Sequence, residues 1–107
     1  MSLPTWVQGS RHTAMRLQWV RRDNTYPDLT GTAITGKIRV NGSMTAVALT
    51  GTIAPDTTAP QRGYFTYAPS SADVASAGIY QVQFIATYAD SKPDLTFITD
   101  WTITAAL

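Results

Sequence analysis

The chain has 107 residues, a net charge of +1 at neutral pH and no cysteine. This length suits one domain, and the lack of cysteine excludes a disulfide framework, a thiolate metal site and a cysteine nucleophile. No stretch approaches the roughly 18 apolar residues of a membrane span, and the N-terminus lacks the apolar core of a signal peptide. We therefore expect a single domain over residues 1–107, in which residues 1–12 are a loosely held N-terminal segment, with no membrane partner and no export by a signal peptide.

The composition favours strands and turns over helices. Only 14% of the residues are charged, all seven acidic residues are Asp, and the sequence contains seventeen Thr residues. Thr is β-branched and suits pleated strands, whereas Asp is a turn former and Glu, which is absent, is a helix former. Four arginines, Arg11, Arg16, Arg21 and Arg22, are not interleaved with aromatic residues, so a nucleic-acid partner is not expected.

The first half of the chain reads as strands separated by turns. Alternating apolar and polar residues predict a strand over residues 15–20, and a dense set of turn formers predicts a loop over residues 21–31. A second alternating stretch ends at Asn41-Gly42, the strongest short hairpin signal, and the alternation then resumes. We predict a hairpin over residues 34–53 centred on that dipeptide.

The second half predicts a short strand over residues 64–68 and two long strands, with room for one helical turn over residues 69–78. The apolar face of the first long strand carries Tyr80, Val82, Phe84, Ala86 and Tyr88. That of the second carries Leu95, Phe97, Trp101 and Ile103. Six or seven strands at regular spacing indicate an all-β fold, either a sandwich or a small barrel.

The corner before the first long strand has a specific spacing. In immunoglobulin-like sandwiches a Tyr stands two residues before an inward-facing position of a late strand, and its hydroxyl hydrogen-bonds back to the preceding corner. Tyr80, which follows Gly78 and precedes Val82 by two residues, has this spacing. We therefore predict a structural corner formed by Gly78 and Tyr80. An ordinary core tyrosine after an unrelated turn is the alternative.

No arrangement of residues predicts catalysis or a bound metal ion. His12 is the only histidine and has no triad partner nearby in the sequence. The carboxylate pairs Asp23 with Asp28 and Asp90 with Asp94 lie in turns, where Asp side chains cap local backbone N–H groups. Their spacing lacks the ligand density and closing Glu of an EF-hand calcium loop. We expect no enzyme activity and no cofactor.

Three apolar side chains are candidates for an interaction surface. Ile85 and Ile98 each fall on the otherwise polar face of their strand, and Trp6 precedes the first strand. Apolar residues grouped on a sheet face of low charge are typical of an interface. Self-association or docking through this face is one reading, and coverage by a loop or by the N-terminal segment is the other. Trp6 and the tyrosines are also candidates for stacking on a sugar.

Three stretches together resemble the N-terminal domain family of phage baseplate upper proteins. They are TWVQGSRHTAMRLQWV, YPDLTGTAITGKIRV and GYFTYAPSSADVASAGIYQVQFIATYADSKPDLTF. The family couples an alternating strand to a Pro-Asp-Leu-Thr-Gly turn, here residues 27–31, and later has an Ala-Gly-x-Tyr corner, here residues 77–80. A Tyr-Ala-Asp end of the long strand matches residues 88–90. One departure is Gly9-Ser-Arg-His-Thr13, where the family often shows Gly-Asp-Thr.

The resemblance implies an immunoglobulin-like β-sandwich of about seven antiparallel strands. It further implies a non-enzymatic structural and protein-binding module of a phage or prophage tail or baseplate, made in the host cytoplasm and located in the virion. Its partners would be other tail or baseplate proteins, together with a homo-oligomer as a further expectation. The alternative function is a bacterial immunoglobulin-like module that binds carbohydrate or another surface.

Overall fold

A computed structural model describes residues 3–21, 23–96 and 98–107, which form an all-β domain. The strands are β1 (Trp6–Val7), β2 (Met15–Gln18), β3 (Ala33–Val40), β4 (Val47–Ala48), β5 (Thr52–Pro55), β6 (Tyr64–Ala68), β7 (Gly78–Thr87), β8 (Pro93–Leu95) and β9 (Thr99–Thr104). A single turn of 3-10 helix spans Pro60–Arg62. None of the helical structure in the described ranges has the length and hydropathy needed to cross a membrane.

The strands form two sheets. The large sheet has the order β1-β9-β7-β3-β4, with β8 also paired to β7, and the small sheet has the order β2-β6-β5. The pairing of β1 with β9 is parallel, and the other pairs are antiparallel. The described residues therefore hold nine strands in mixed pairing instead of about seven antiparallel ones. Strands β1 and β4 have two residues each, too few to produce a readable alternation.

The hydrophobic core lies where the two sheets face each other. A chain of edge-to-face aromatic contacts crosses it: Phe65 of β6 lies 5.0 Å from Phe84 of β7, and Tyr67 of β6 lies 5.8 Å from Trp101 of β9, measured between ring centroids. Trp19 extends this chain by packing on Phe65. Trp19 and Trp101 are both buried, which for Trp101 confirms the expected place on the apolar face of its strand. Such aromatic pairs add to the stabilisation that comes from burial alone.

The hairpin predicted for residues 34–53 forms only in its first part. Val47 and Ala48 pair with β3, and the backbone N–H of Leu49 donates to the carbonyl of Gly36 at 2.9 Å. The chain then leaves the large sheet, and β5 pairs with β6 in the small sheet. The alternation of apolar residues continues through this strand switch because both sheets face the same core. The Ser43 N–H donates to the Val40 carbonyl across Asn41-Gly42, but pairing resumes only where Val47 lies opposite Ile38, a wider register than a two-residue hairpin gives.

A bulge divides what the sequence predicted as one final strand. Leu95 of β8 is opposite Ile85, whereas Thr99 of β9 is opposite Val82, so β7 spans fewer residues there than the β8–β9 segment. Thr96 fills the interruption: its N–H donates to the Phe84 carbonyl and its hydroxyl accepts from the Phe84 N–H. The extra residue reverses the faces, so Leu95 is 49% exposed and not in the core. The expected core position of Phe97 lies outside the described residues.

The N-terminal segment is attached to the large sheet. The sequence suggested a loosely held segment over residues 1–12, yet β1 pairs with β9, and the indole N–H of Trp101 donates to the Pro4 carbonyl at 3.1 Å. The N–H of Gly9 also donates to the Val74 carbonyl. The helical turn expected within residues 69–78 is a series of non-helical turns.

Candidate binding groove

The Asp73 carboxylate joins three parts of the chain at one end of the domain. Asp73 lies in the loop between β6 and β7. Its Oδ2 accepts from the Tyr67 hydroxyl at 2.6 Å and from the Gly51 N–H at 2.9 Å. Its Oδ1 accepts from the Thr50 N–H at 3.0 Å. The carboxylate therefore holds the loop against the strand switch, because Thr50 and Gly51 are the residues at which the chain moves from β4 to β5.

Gly51 is required at the switch by close contact, not by backbone conformation. A Cβ atom there would lie 2.3 Å from the carbonyl oxygen of Ala68 and 2.9 Å from Oδ2 of Asp73. Real Cβ atoms do not approach other heavy atoms so closely. The small residue is what allows the loop and the switch to meet.

Burial and these hydrogen bonds together shift the pKa of both partners. Burial opposes ionisation of Asp73, but the N–H groups of Thr50 and Gly51 and the Tyr67 hydroxyl outweigh it and lower the pKa of the carboxyl group. Burial, reinforced by the neighbouring carboxylate, raises the pKa of Tyr67 far above its ordinary value. Asp73 is therefore an anion and Tyr67 a neutral donor at neutral pH.

The Tyr80 corner lies beside this junction. The Tyr80 hydroxyl donates to the carbonyl oxygen of Ser76 at 2.8 Å, four residues back along the chain. Gly78 packs on the Tyr80 ring, since a Cβ atom at Gly78 would lie 3.5 Å from a ring carbon. The backward hydrogen bond has the direction that the spacing predicted. Val82, two residues later, is fully buried.

A groove of about 420 Å³ opens between this corner and the end of the large sheet. One wall is the loop carrying Asp73 and Ser76, and the other is the end of β3 and β4. The rim is apolar, because Val40 and Val47 are each 59% exposed. Both lie on the inward side of the sheet, beyond the reach of the small sheet: Val47 is opposite Ile38, and Val40 is opposite Tyr80.

The groove has the chemistry of a site for an extended peptide segment. Its surface is mainly apolar, with Thr45, Thr50 and Ser76 supplying polar groups. Strand β4 is the last strand of the large sheet in the described chain, so its outer backbone edge is open to a further strand. An incoming strand at such an edge gains backbone hydrogen bonds and places alternate side chains towards the neighbouring pocket. Met44, in the turn between β3 and β4, is 91% exposed.

The three residues predicted as an interaction surface do not belong to this groove. Ile85 and Ile98 lie on the outer face of the large sheet, where Ile85 is partly covered and Ile98 is 52% exposed. Trp6 is partly buried against the core, and its indole N–H donates to the Ser10 carbonyl at 2.7 Å. Of the predicted site residues, only Gly78 and Tyr80 are at the groove end.

Sequence reasoning missed Asp73, Val40 and Val47. Asp73 stood only within the segment expected to hold one helical turn, and Val40 and Val47 stood as ordinary members of alternating strands. The available signal was Asn41-Gly42 between the two valines, which places both of them near a turn and hence near the end of a sheet. Their exposure follows from the strand switch, which no local pattern encodes.

The carboxylates at the other end of the domain cap turns. Asp23, Asp28 and Asp56 each accept from the backbone N–H and the hydroxyl of a Thr two residues later. These hydrogen bonds lower the pKa of each carboxyl group. Asp56 also pairs with Arg16, whose guanidinium lies over the Tyr64 ring. The described part of the chain brings together no group of three metal-ligating side chains.

Comparison with known proteins adds no assignment. No family model matches the chain, and no curated protein is significantly similar to it.

Proposed function

We propose that this chain is a non-enzymatic protein-binding module of a phage or prophage tail or baseplate. The observation that carries the proposal is the groove, whose apolar rim at Val40 and Val47 lies beside the open edge of β4. An exposed apolar rim next to an unpaired strand edge suits the capture of a segment from a neighbouring protein. The assignment to a tail or baseplate draws its support from the resemblance of the sequence to baseplate upper protein domains.

We further propose that the architecture is an immunoglobulin-like sandwich. The order β2-β6-β5 corresponds to strands B, E and D of that fold, and β9-β7-β3-β4 corresponds to G, F, C and C′. Tyr80 then stands at the start of strand F, where its hydrogen bond to Ser76 is the one that a tyrosine corner makes. Strand β1 is an addition at the edge of the large sheet, and β8 is the first part of the last strand, which the bulge divides.

Purified particles test the assignment to a tail or baseplate. The prophage or phage that encodes the chain is induced, its particles are purified on a density gradient, and the gradient fractions are analysed by mass spectrometry. We expect the chain to co-sediment with tail proteins at a constant ratio across the particle peak. The proposal fails if the chain is abundant in the lysate and absent from the particles.

The second candidate function is carbohydrate or surface binding by a bacterial immunoglobulin-like module. One observation favours it: the Tyr26 ring is 50% exposed in the loop between β2 and β3. Trp6 supports it less, because its ring packs on the core and its indole N–H is already bonded. A glycan array with the wild type and Tyr26→Ala tests this candidate. Binding that depends on Tyr26 would favour it over the tail module.

A further inference from the structure

The outer face of the large sheet combines apolar and charged residues in an ordered arrangement. It is the face opposite the core, defined here by the residues of β3, β7, β8 and β9 that alternate with buried ones. Ile85 is directly opposite Leu95, which is 49% exposed, and Ile98 lies beside Gln81 and Gln83. An apolar area on a sheet face therefore lies between strands β7, β8 and β9.

The charges on this face are separated by sign. Arg39 and Lys37 are on β3, to one side of β7, and Asp100 is on β9, to the other side. Gln81 lies between Arg39 and Asp100 in the same row. Because neighbouring strands are about 4.8 Å apart, Arg39 and Asp100 are separated by roughly 10 Å across the sheet. They form no ion pair with each other within the described chain.

We propose that the outer face of the large sheet is a homodimer surface, in which two copies of the chain pack face to face about a twofold axis parallel to β7. This operation places β3 of one copy over β9 of the other and keeps each row opposite itself. Arg39 then meets Asp100 of the second copy, and the same pair forms again by symmetry. Ile85 meets Ile85 of the second copy at the axis.

Charge complementarity selects a second copy over an unrelated partner. A twofold interface must be complementary to itself, and this face carries cations on one side of the axis and a carboxylate in the matching row on the other side. Two sheets packed face to face commonly align their strands within about 30°, which keeps the rows in register. The inference stands on this face alone and does not depend on the assignment to a phage tail.

Sedimentation of the full chain over a range of concentrations tests the proposal. The wild type should pass from monomer to dimer as its concentration rises, and added salt should weaken the dimer because the ion pairs at its edges are screened. Arg39→Asp or Asp100→Arg should each raise the dissociation constant by about tenfold or more, because each change replaces two attractive contacts by repulsive ones. Ile85→Lys should leave a monomer.

The double variant Arg39→Asp with Asp100→Arg decides the geometry. It restores opposite charges across the interface with their positions exchanged, so the dimer should return. Arg62→Glu, at the 3-10 helix and away from this face, is the matched control and should sediment like the wild type. Circular dichroism verifies that each variant is folded. A wild type that is monomeric at every concentration, or a folded double variant as monomeric as the single ones, would overturn the proposal.

Discussion

At the scale of single residues, one carboxylate does most to shape the groove. Asp73 is an anion held by backbone N–H groups of the strand switch and by the Tyr67 hydroxyl. Hydrogen bonds to a charged group contribute more than neutral ones, and their loss leaves buried donors unsatisfied. The Tyr80 corner is a neutral counterpart, with one hydroxyl and one carbonyl.

Asp73→Asn should destabilise the domain by roughly 2 to 4 kcal/mol. The side-chain amide keeps one acceptor oxygen, but its NH₂ group would face donors that now bond to the second carboxylate oxygen. Chemical denaturation measures the change. The control is Asp28→Asn, an exposed carboxylate that caps only its own turn and should cost clearly less. Equal losses from the two changes would contradict the central role of Asp73.

Tyr80→Phe should cost about 0.5 to 1.5 kcal/mol, because it removes the hydrogen bond to Ser76 and leaves the ring packed. Tyr80→Ala should cost about 2 to 4 kcal/mol, since the ring is partly buried and its removal leaves a cavity. Urea unfolding of both variants separates the two contributions. Negligible losses from both would show that the corner does not stabilise the fold.

At the scale of elements, the strand switch and the bulge are the two features that could not be predicted from the sequence. Strands β2, β3, β6, β7 and β9 follow from alternation of apolar and polar residues. The switch at Gly51 leaves the alternation intact, so Leu49 and Ile53 look like members of one strand. Leu49, however, hydrogen-bonds to β3 of the large sheet, and Ile53 belongs to β5 of the small sheet. The bulge at Thr96 shifts the alternation by one residue, which put Leu95 on the wrong face. Pairing partners, unlike faces, are set by distant residues.

The candidate site was also harder to predict than the fold, because it depends on contacts between residues that are distant in the sequence. The corner at Gly78 and Tyr80 has a local spacing and could be read from the sequence. The groove depends on where the chain changes sheets and on which strands the small sheet fails to cover. Val40 and Val47 are ordinary strand residues until that arrangement is known.

Substitutions at two glycines separate two reasons for which a position requires glycine: close contact with other atoms and a positive φ. Gly51→Ala should destabilise the domain by several kcal/mol, because its Cβ would overlap the Ala68 carbonyl oxygen. Gly42→Ala should cost only about 1 kcal/mol, since Gly42 has a φ of +88° but open space around it. Thermal unfolding of the pair tests this order. A larger loss at Gly42 would mean that the switch is not tightly packed.

At the scale of the whole molecule, four carboxyl groups make stability depend on pH in the acid range. The pKa values of Asp23, Asp28, Asp56 and Asp73 all lie below the ordinary 3.8. A lowered pKa in the folded state means that the fold favours the charged form. The resulting stability is present at neutral pH and is lost as the pH falls below that ordinary value.

The free energy of unfolding should therefore be level near neutral pH and should decrease as the pH falls below about 4. Denaturation with urea at a series of pH values measures this dependence. In Asp73→Asn the acid decrease should be smaller, because one of the four groups no longer titrates. Stability that rises as the pH falls through this range would contradict the hydrogen-bonding pattern of the carboxylates.

Site-specific photo-crosslinking in assembled particles tests most directly whether the groove is where the chain meets its partner. A photoreactive amino acid is placed at Val47 on the groove rim or, as the control, at Arg62 at the 3-10 helix. After irradiation of purified particles, mass spectrometry identifies the crosslinked proteins. We expect a specific crosslink to a tail or baseplate protein from position 47 and none from position 62. Crosslinks from position 62 with none from position 47 would contradict it.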